Sequence, residues 1–149
     1  MKRKTYGLGA ILVVMVLLLA GIIPASAAEK TQFTCIEEWG GLIDDGVWTT
    51  YPNGNIHVRG MTFFLYETVS DPRVSGTNYV TQNANWGPDY TGPHWGTFKI
   101  VNEHGWWEGT WNGIGGDGYH AIGKGFGDYA GLHFRWLNTE EEGCSGEIF

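Results

Sequence analysis

The chain has 149 residues, of which 24 are glycine and 15% are aromatic, and its formal net charge at pH 7 is -7. Three of the nine Lys and Arg residues lie at positions 2–4, so residues 28–149 carry six basic against sixteen acidic side chains, a net charge of -10. This balance argues against nucleic acid as a partner, because phosphate binding requires clustered Lys and Arg, and the length suits a single domain.

The N-terminal segment, residues 1–27, has the pattern of a secretory signal peptide. Lys2, Arg3 and Lys4 precede an apolar or small-residue run at 8–23, and Pro24 is followed by the small residues of "ASA" at 25–27. The run is shorter than the ~20 residues that span a bilayer. We therefore predict cleavage near Ala27, a folded domain at 28–149, a secreted or extracytoplasmic location and no stable membrane insertion after cleavage. An uncleaved anchor is the alternative.

The chain has two cysteines, Cys35 and Cys144, near the two ends of the predicted domain. In an oxidising compartment such a pair predicts one disulfide, which would make the first and last strands neighbours, as in a closed barrel. The alternative is a redox or metal-binding pair, but there is no CxxC spacing or neighbouring histidine to favour it.

After residue 30 no segment keeps a helical period. Short alternating or aromatic-rich runs recur instead, separated by Gly, Asn, Asp and Pro, which is typical of all-β folds. The predicted strands are 32–38, 47–51, 56–70, 78–86, 95–101, 106–113, 119–126, 129–136 and 146–149. The regular hairpins, the glycines within strands and the terminal cysteines favour a single closed antiparallel β-barrel of about eight strands over a sandwich.

Three turns, at 102–105, 114–118 and 127–128, predict the register of the C-terminal strands. They set Ile100 opposite Trp107, Trp107 opposite Gly125 and Ala121 opposite Phe134. Because strand side chains alternate, one face is interior, and the glycines on it make room for the aromatics. We predict that six aromatic residues of this face line an apolar cavity and bind a small apolar molecule: Phe98, Trp107, Trp111, Tyr119, Phe134 and Trp136.

Three residues are weak catalytic candidates. His57 and Arg59 lie in "IHVRGMTFFLYE", where alternation does not decide the inward face and where Gly60 can form a bulge that reverses it. They form either a polar pair in the lumen or a solvated pair at the rim. Glu108, between tryptophans, would be a general acid if buried, but the register places it outside, opposite Lys124. The standard catalytic and phosphate-binding motifs are absent, and neither a cofactor nor a metal site is expected.

The stretches "GPHWGTFKIVNEHGWWEGTWNG" and "GKGFGDYAGLHFRW" and the final "GEIF" resemble allene-oxide-cyclase-like and dirigent-like β-barrels, most closely uncharacterised exported bacterial proteins of that type. The resemblance covers roughly residues 56–149 and rests on structural positions. It implies an eight-stranded antiparallel barrel with an apolar lumen, which often assembles into trimers in the plant members and there steers cyclisation or coupling of a hydrophobic substrate. No residue here matches their catalytic residues one to one, so no catalytic role is transferred.

Three functions remain open at this point. The first is a non-catalytic barrel that binds a small apolar molecule in its lumen. The second is a cyclase-like or isomerase-like enzyme that uses the same lumen. The third is a filled barrel that acts through its surface on the envelope or on carbohydrate, with Trp39, Trp86 and Trp106 as exposed platforms.

Overall fold

The structure is a computed structural model that describes residues 30–139 and 141–149. The predicted signal peptide, residues 1–27, lies outside the described residues. Within the described ranges no helix is long and apolar enough to cross a membrane.

The described residues form one antiparallel sheet, which confirms the all-β prediction. Strand β1 pairs with both β9 and β3, so that β1 and β3 to β9 close a ring of eight strands, which we call the ring. Strand β2 pairs with β3 beyond the end of β1. The strands are β1 (Thr31–Asp44), β2 (Val47–Thr50), β3 (Ile56–Val69), β4 (Gly76–Trp86), β5 (Gly92–Asn102), β6 (Gly105–Gly115), β7 (Gly118–Gly127), β8 (His133–Thr139) and β9 (Gly143–Ile148).

Two of the three predicted hairpin registers are confirmed. Ile100 pairs with Trp107, and Trp107 pairs with Gly125. The glycines make room for aromatic rings, as predicted: a Cβ added at Gly109 would lie 2.8 Å from the Phe98 ring. Close packing of this kind leaves no space for even one extra methyl group.

The predicted register between β7 and β8 is wrong by two residues, because Ala121 pairs with Trp136 rather than with Phe134. The chain does not turn back within two residues after Gly127. It forms a longer loop, in which the Leu132 N–H donates to the Tyr129 carbonyl at 3.0 Å, and β8 begins only at His133. A shift of two residues preserves the face of every side chain, so the predicted inner and outer faces survive the error.

One end of the ring interior is filled. Val74, from the loop between β3 and β4, and Tyr129, from the loop between β7 and β8, are buried there with Trp107. The Trp107 Nε1–H donates to the Arg73 carbonyl at 2.7 Å, and the indole stacks on the Tyr129 ring with centroids 5.2 Å apart. The two loops therefore close this end of the ring, which we call the packed end.

A disulfide joins Cys35 of β1 to Cys144 of β9, with the two Cα atoms 5.1 Å apart, and confirms the predicted bridge. The first and last strands are consequently neighbours, as expected from the sequence. A structural disulfide suggests an oxidising environment outside the cytoplasm.

Candidate functional site

The ring interior contains a cavity of about 240 Å³. For comparison, a buried water occupies roughly 10–15 Å³ by this measure, and an engineered apolar cavity of about 150 Å³ holds benzene. The residues that line it come from β1 and from β3 to β8 and are mostly apolar: Glu37, Phe63, Leu65, Asn78, Val80, Gln82, His94, Phe98, Ile100, Trp111, Tyr119, Ala121, Phe134 and Trp136.

Five of the six predicted ligand-binding residues lie on the cavity wall: Phe98, Trp111, Tyr119, Phe134 and Trp136. The sixth, Trp107, does not line it, because the loops of the packed end cover its ring. A two-residue period predicts the face of a side chain but not its height along the ring axis, and height separates Trp107 from the other five. Binding by these residues remains a prediction.

The three weak catalytic candidates lie on the outside of the ring. His57 packs against Tyr51, with ring centroids 4.7 Å apart, and the Arg59 guanidinium lies 5.4 Å from the centre of the Trp95 ring. Val58, between them, is the buried residue. The register breaks between Val58 and Met61, so the bulge considered for Gly60 exists and keeps Arg59 outside.

Glu108 lies opposite Lys124 as predicted, but its carboxylate pairs with Lys99 of β5 at 3.0 Å, and both side chains are about half exposed. An exposed pair of this kind contributes little to stability. None of the three candidates lines the cavity.

The cavity wall contains polar groups that the sequence reasoning missed, and Glu37 of β1 is central among them. Its carboxylate accepts hydrogen bonds from the Tyr119 hydroxyl and from the Asn138 side-chain amide. Glu67 of β3 lies opposite Glu37 in the strand pairing and accepts a hydrogen bond from Asn78 Nδ2 at 2.8 Å. Two carboxyl groups thus share one polar corner of an otherwise apolar interior, which we call the carboxyl corner.

Burial raises the pKa of both carboxyls, and the neighbouring carboxyl raises that of Glu67 further. Burial, and secondarily the negative charge of Glu37, raise the pKa of Glu67 to about 8, so Glu67 is a neutral acid at pH 7. Burial also raises the pKa of Glu37, but the donors Tyr119 and Asn138 oppose this shift and favour its carboxylate. With Glu67 protonated at pH 7, the carboxyl corner carries at most one negative charge, and this charge lies on Glu37, whose two oxygens both accept hydrogen bonds.

Two further groups at the cavity are neutral. Burial, with the nearby charge of Glu37, raises the pKa of Tyr119, so its hydroxyl stays protonated and donates to that carboxylate. Burial lowers the pKa of His94, whose imidazole packs edge-on against Trp111 with centroids 5.0 Å apart. Neither group supplies a positive charge to balance Glu37.

Several buried polar atoms have no hydrogen-bond partner in the protein: Asn78 Oδ1, His94 Nε2 and Trp136 Nε1 on residues that line the cavity, and Glu67 Oε2 beside Glu37. Buried polar atoms are normally paired, and an unpaired one costs ~1–3 kcal/mol. Within the described part of the chain, no group of three or more His, Cys, Asp or Glu side chains is arranged to hold a metal ion.

One signal in the sequence could have found the carboxyl corner. Phe33 is the apolar residue expected on the inner face of β1, and a period of two from Phe33 places Cys35 and Glu37 on that face as well. In β3 the same alternation places Glu67 on the face of Phe63, Leu65 and Val69.

The three proposed surface tryptophans differ in exposure. Trp39 is 62% exposed and stacks on Phe63 at 5.2 Å between ring centroids. Trp106 is partly covered, because it stacks on Phe126 at 5.3 Å, and Trp86 is likewise partly buried. A role in surface contact stays a prediction for all three.

Comparison of the chain with protein-family models, with curated proteins and with solved structures finds no match. The resemblance to allene-oxide-cyclase-like and dirigent-like barrels thus stays a prediction.

Proposed function

We propose that the ring works as a barrel whose lumen binds one small, largely apolar molecule that carries a polar group. The observation that supports this proposal is the cavity of about 240 Å³, with aromatic walls and one carboxyl corner. An apolar pocket with a few convergent polar groups is the usual form of a small-molecule site, and this cavity is slightly below the common size range of ~300–1,000 Å³. A ligand somewhat larger than benzene suits it.

The binding test uses the full chain, expressed with its own N-terminal segment and recovered from the medium or periplasm. Native mass spectrometry should detect a retained ligand, or uptake from a panel of small apolar compounds. Ala121→Phe places a ring in the cavity and should abolish uptake, whereas Ile122→Phe, on the exposed face of the same strand, should not change it.

Overpacking can unfold a core, so Val80→Leu serves as a milder cavity-filling variant, and circular dichroism checks the fold of each protein. Equal uptake by wild type, Ala121→Phe and Val80→Leu would contradict binding in the cavity, as would a wild type that takes up no compound.

A cyclase-like or isomerase-like activity in the same cavity is the second candidate. It is favoured by a pair of carboxyls: Glu37, which lines the cavity, and beside it Glu67, an acid with a pKa of about 8. The bound compound, once identified, should be converted by wild type and only bound by Glu67→Gln. Recovery of the compound unchanged from wild type would contradict this activity.

We also propose that the protein is exported and cleaved near Ala27. The Cys35–Cys144 disulfide supports an oxidising location. N-terminal sequencing of the recovered protein should find a start near Ala28, and a full-length chain retained in the membrane fraction would contradict cleavage.

A further inference from the structure

The negative charge of Glu37 has no cationic partner among the described residues that line the cavity, since none of them is Lys or Arg. The basic side chains of the described chain lie elsewhere. Lys30 and Arg135 pair with Glu147, Arg73 pairs with Asp71, and Lys99 pairs with Glu108. The two others, Arg59 and Lys124, lie over the rings of Trp95 and Phe126. Glu37 is partly buried and its hydrogen-bond partners Tyr119 and Asn138 are both neutral, so a cationic ligand would balance its charge.

The hydrogen-bonding atoms of the carboxyl corner provide a second, independent observation. Glu67 and Asn78 are 4% and 7% exposed, and each has an oxygen without a partner in the protein. The single proton of Glu67 can serve the Glu37 carboxylate or Asn78 Oδ1, but not both. At least one acceptor is therefore left without a donor from the protein, and an ammonium group can supply up to three N–H donors whereas a carboxylate supplies none.

The remaining walls suit the rest of such a ligand. Trp111 and Tyr119 lie edge to face, with centroids 5.8 Å apart, and Phe98 and Phe134 pack at 5.6 Å. Aromatic faces stabilise a nearby cation and also bury hydrocarbon. The excess of acidic side chains over the whole chain attracts cations and repels anions.

We propose that the cavity selects hydrophobic amines, bound as ammonium ions against Glu37, over the matching alcohols and carboxylic acids. This inference rests on the proposed function and names its ligand class. An acid of the same shape would place a second negative charge beside Glu37, and an alcohol would keep one hydrogen bond but lose the ion pair.

The test compares three probes of similar shape: 2-phenylethylamine, 2-phenylethanol and 3-phenylpropanoate. Each is titrated into the exported protein by isothermal calorimetry at pH 7. We expect the amine to bind at least tenfold tighter than the alcohol and the acid to bind most weakly.

A pair of neighbouring substitutions provides the matched control. Glu37→Gln keeps the shape of the side chain and removes its charge. It should reduce amine affinity at least tenfold, to the level of the alcohol, while alcohol affinity stays within twofold of the wild-type value. Glu38→Gln removes the same charge from the exposed face of the same strand and should leave amine affinity within twofold of wild type.

The outcomes separate this inference from the proposed function. If the alcohol binds as tightly as the amine, or if Glu37→Gln keeps the amine affinity of wild type, the inference is wrong while binding in the cavity stands. If no probe binds and no retained ligand is found, both the amine selectivity and the proposed binding function are wrong. Should Glu37→Gln fail to fold, the ratio of amine to alcohol affinity in wild type decides alone, and a ratio below two overturns the inference.

Discussion

At the scale of single residues, the most unusual feature is Glu67, a carboxyl that is almost fully buried beside a second one. Three donors satisfy much of this pair: Asn78 bonds Glu67, while Tyr119 and Asn138 bond Glu37. Because Glu67 keeps its proton, the interior does not contain a second negative charge. A polar pair of this kind costs stability in an apolar core, which is consistent with a binding role rather than a structural one.

The raised pKa of Glu67 predicts how stability depends on pH. In the unfolded chain Glu67 loses its proton near pH 4.5, whereas in the folded protein it keeps the proton up to about pH 8. The free energy of unfolding should therefore fall as the pH rises between these two values. For one proton the slope is at most ~1.4 kcal/mol per pH unit. Urea unfolding at pH 5, 6, 7 and 8 should show this fall in wild type and a flatter profile in Glu67→Gln.

Glu38→Gln is the control for this series, because Glu38 is exposed on the outer face. Burial lowers the pKa of His94, so this residue makes stability rise with pH up to about its ordinary pKa of 6.5. Because all three proteins contain His94, its contribution cancels when their free energies of unfolding are subtracted. Parallel profiles for wild type and Glu67→Gln would show that Glu67 is ionised in the folded state.

At the scale of elements, the bulge in β3 decides which side chains face the cavity and which face solvent. Gly60 has a φ of 70°, and its N–H donates to Asn83 Oδ1 at 3.1 Å. The extra residue keeps Val58 and Met61 on the inner side while Arg59 extends outside, where it donates to the Ala84 carbonyl at 2.7 Å. The bulge thus keeps the Arg59 guanidinium out of the ring interior.

Replacement of Gly60 tests this bulge. A Cβ added there meets nothing within 4 Å, so the cost of Gly60→Ala comes from the left-handed backbone alone. We expect Gly60→Ala to lower the free energy of unfolding by ~1–2 kcal/mol and Gly60→Asn to lower it less, because Asn tolerates this conformation better. Denaturant unfolding measures both. An Ala variant as stable as wild type would mean that β3 has another conformation at this point.

At the scale of the whole molecule, the ring is closed by β1, which pairs with β9 through residues Thr31 to Cys35 and with β3 through residues Cys35 to Asp44. The same strand carries Glu37. Both the closure of the ring and the carboxyl corner therefore depend on β1, and the Cys35–Cys144 disulfide links β1 to the last strand.

Removal of the disulfide should destabilise the protein strongly. The bridged residues are 109 positions apart, and the loss of a bridge that closes so long a loop typically costs ~2–5 kcal/mol. The double variant Cys35→Ala, Cys144→Ala should unfold at a lower denaturant concentration than wild type. Thiol titration of unfolded wild type without reductant should find no free thiol, and two free thiols would contradict the bridge.

By itself, the sequence determined the all-β class, the disulfide, the strands from residue 95 to 126 and the inner and outer faces of the C-terminal strands. These features depend on local rules: alternation along a strand, turn residues between strands and the pairing of glycine with aromatic side chains. Even the wrong register between β7 and β8 left the faces correct, because the shift was two residues.

Only the tertiary structure decided which inner side chains surround the cavity and which fill the packed end. Trp107 and Trp111 share one face of β6, yet loop residues cover the first while the second lines the cavity. The carboxyl corner also arises from ring closure, which brings Glu37 of β1 beside Tyr119 and Asn138, both far away in sequence. Height along the ring axis and contacts across it depend on strand tilt and closure, and a two-residue period contains no information about either.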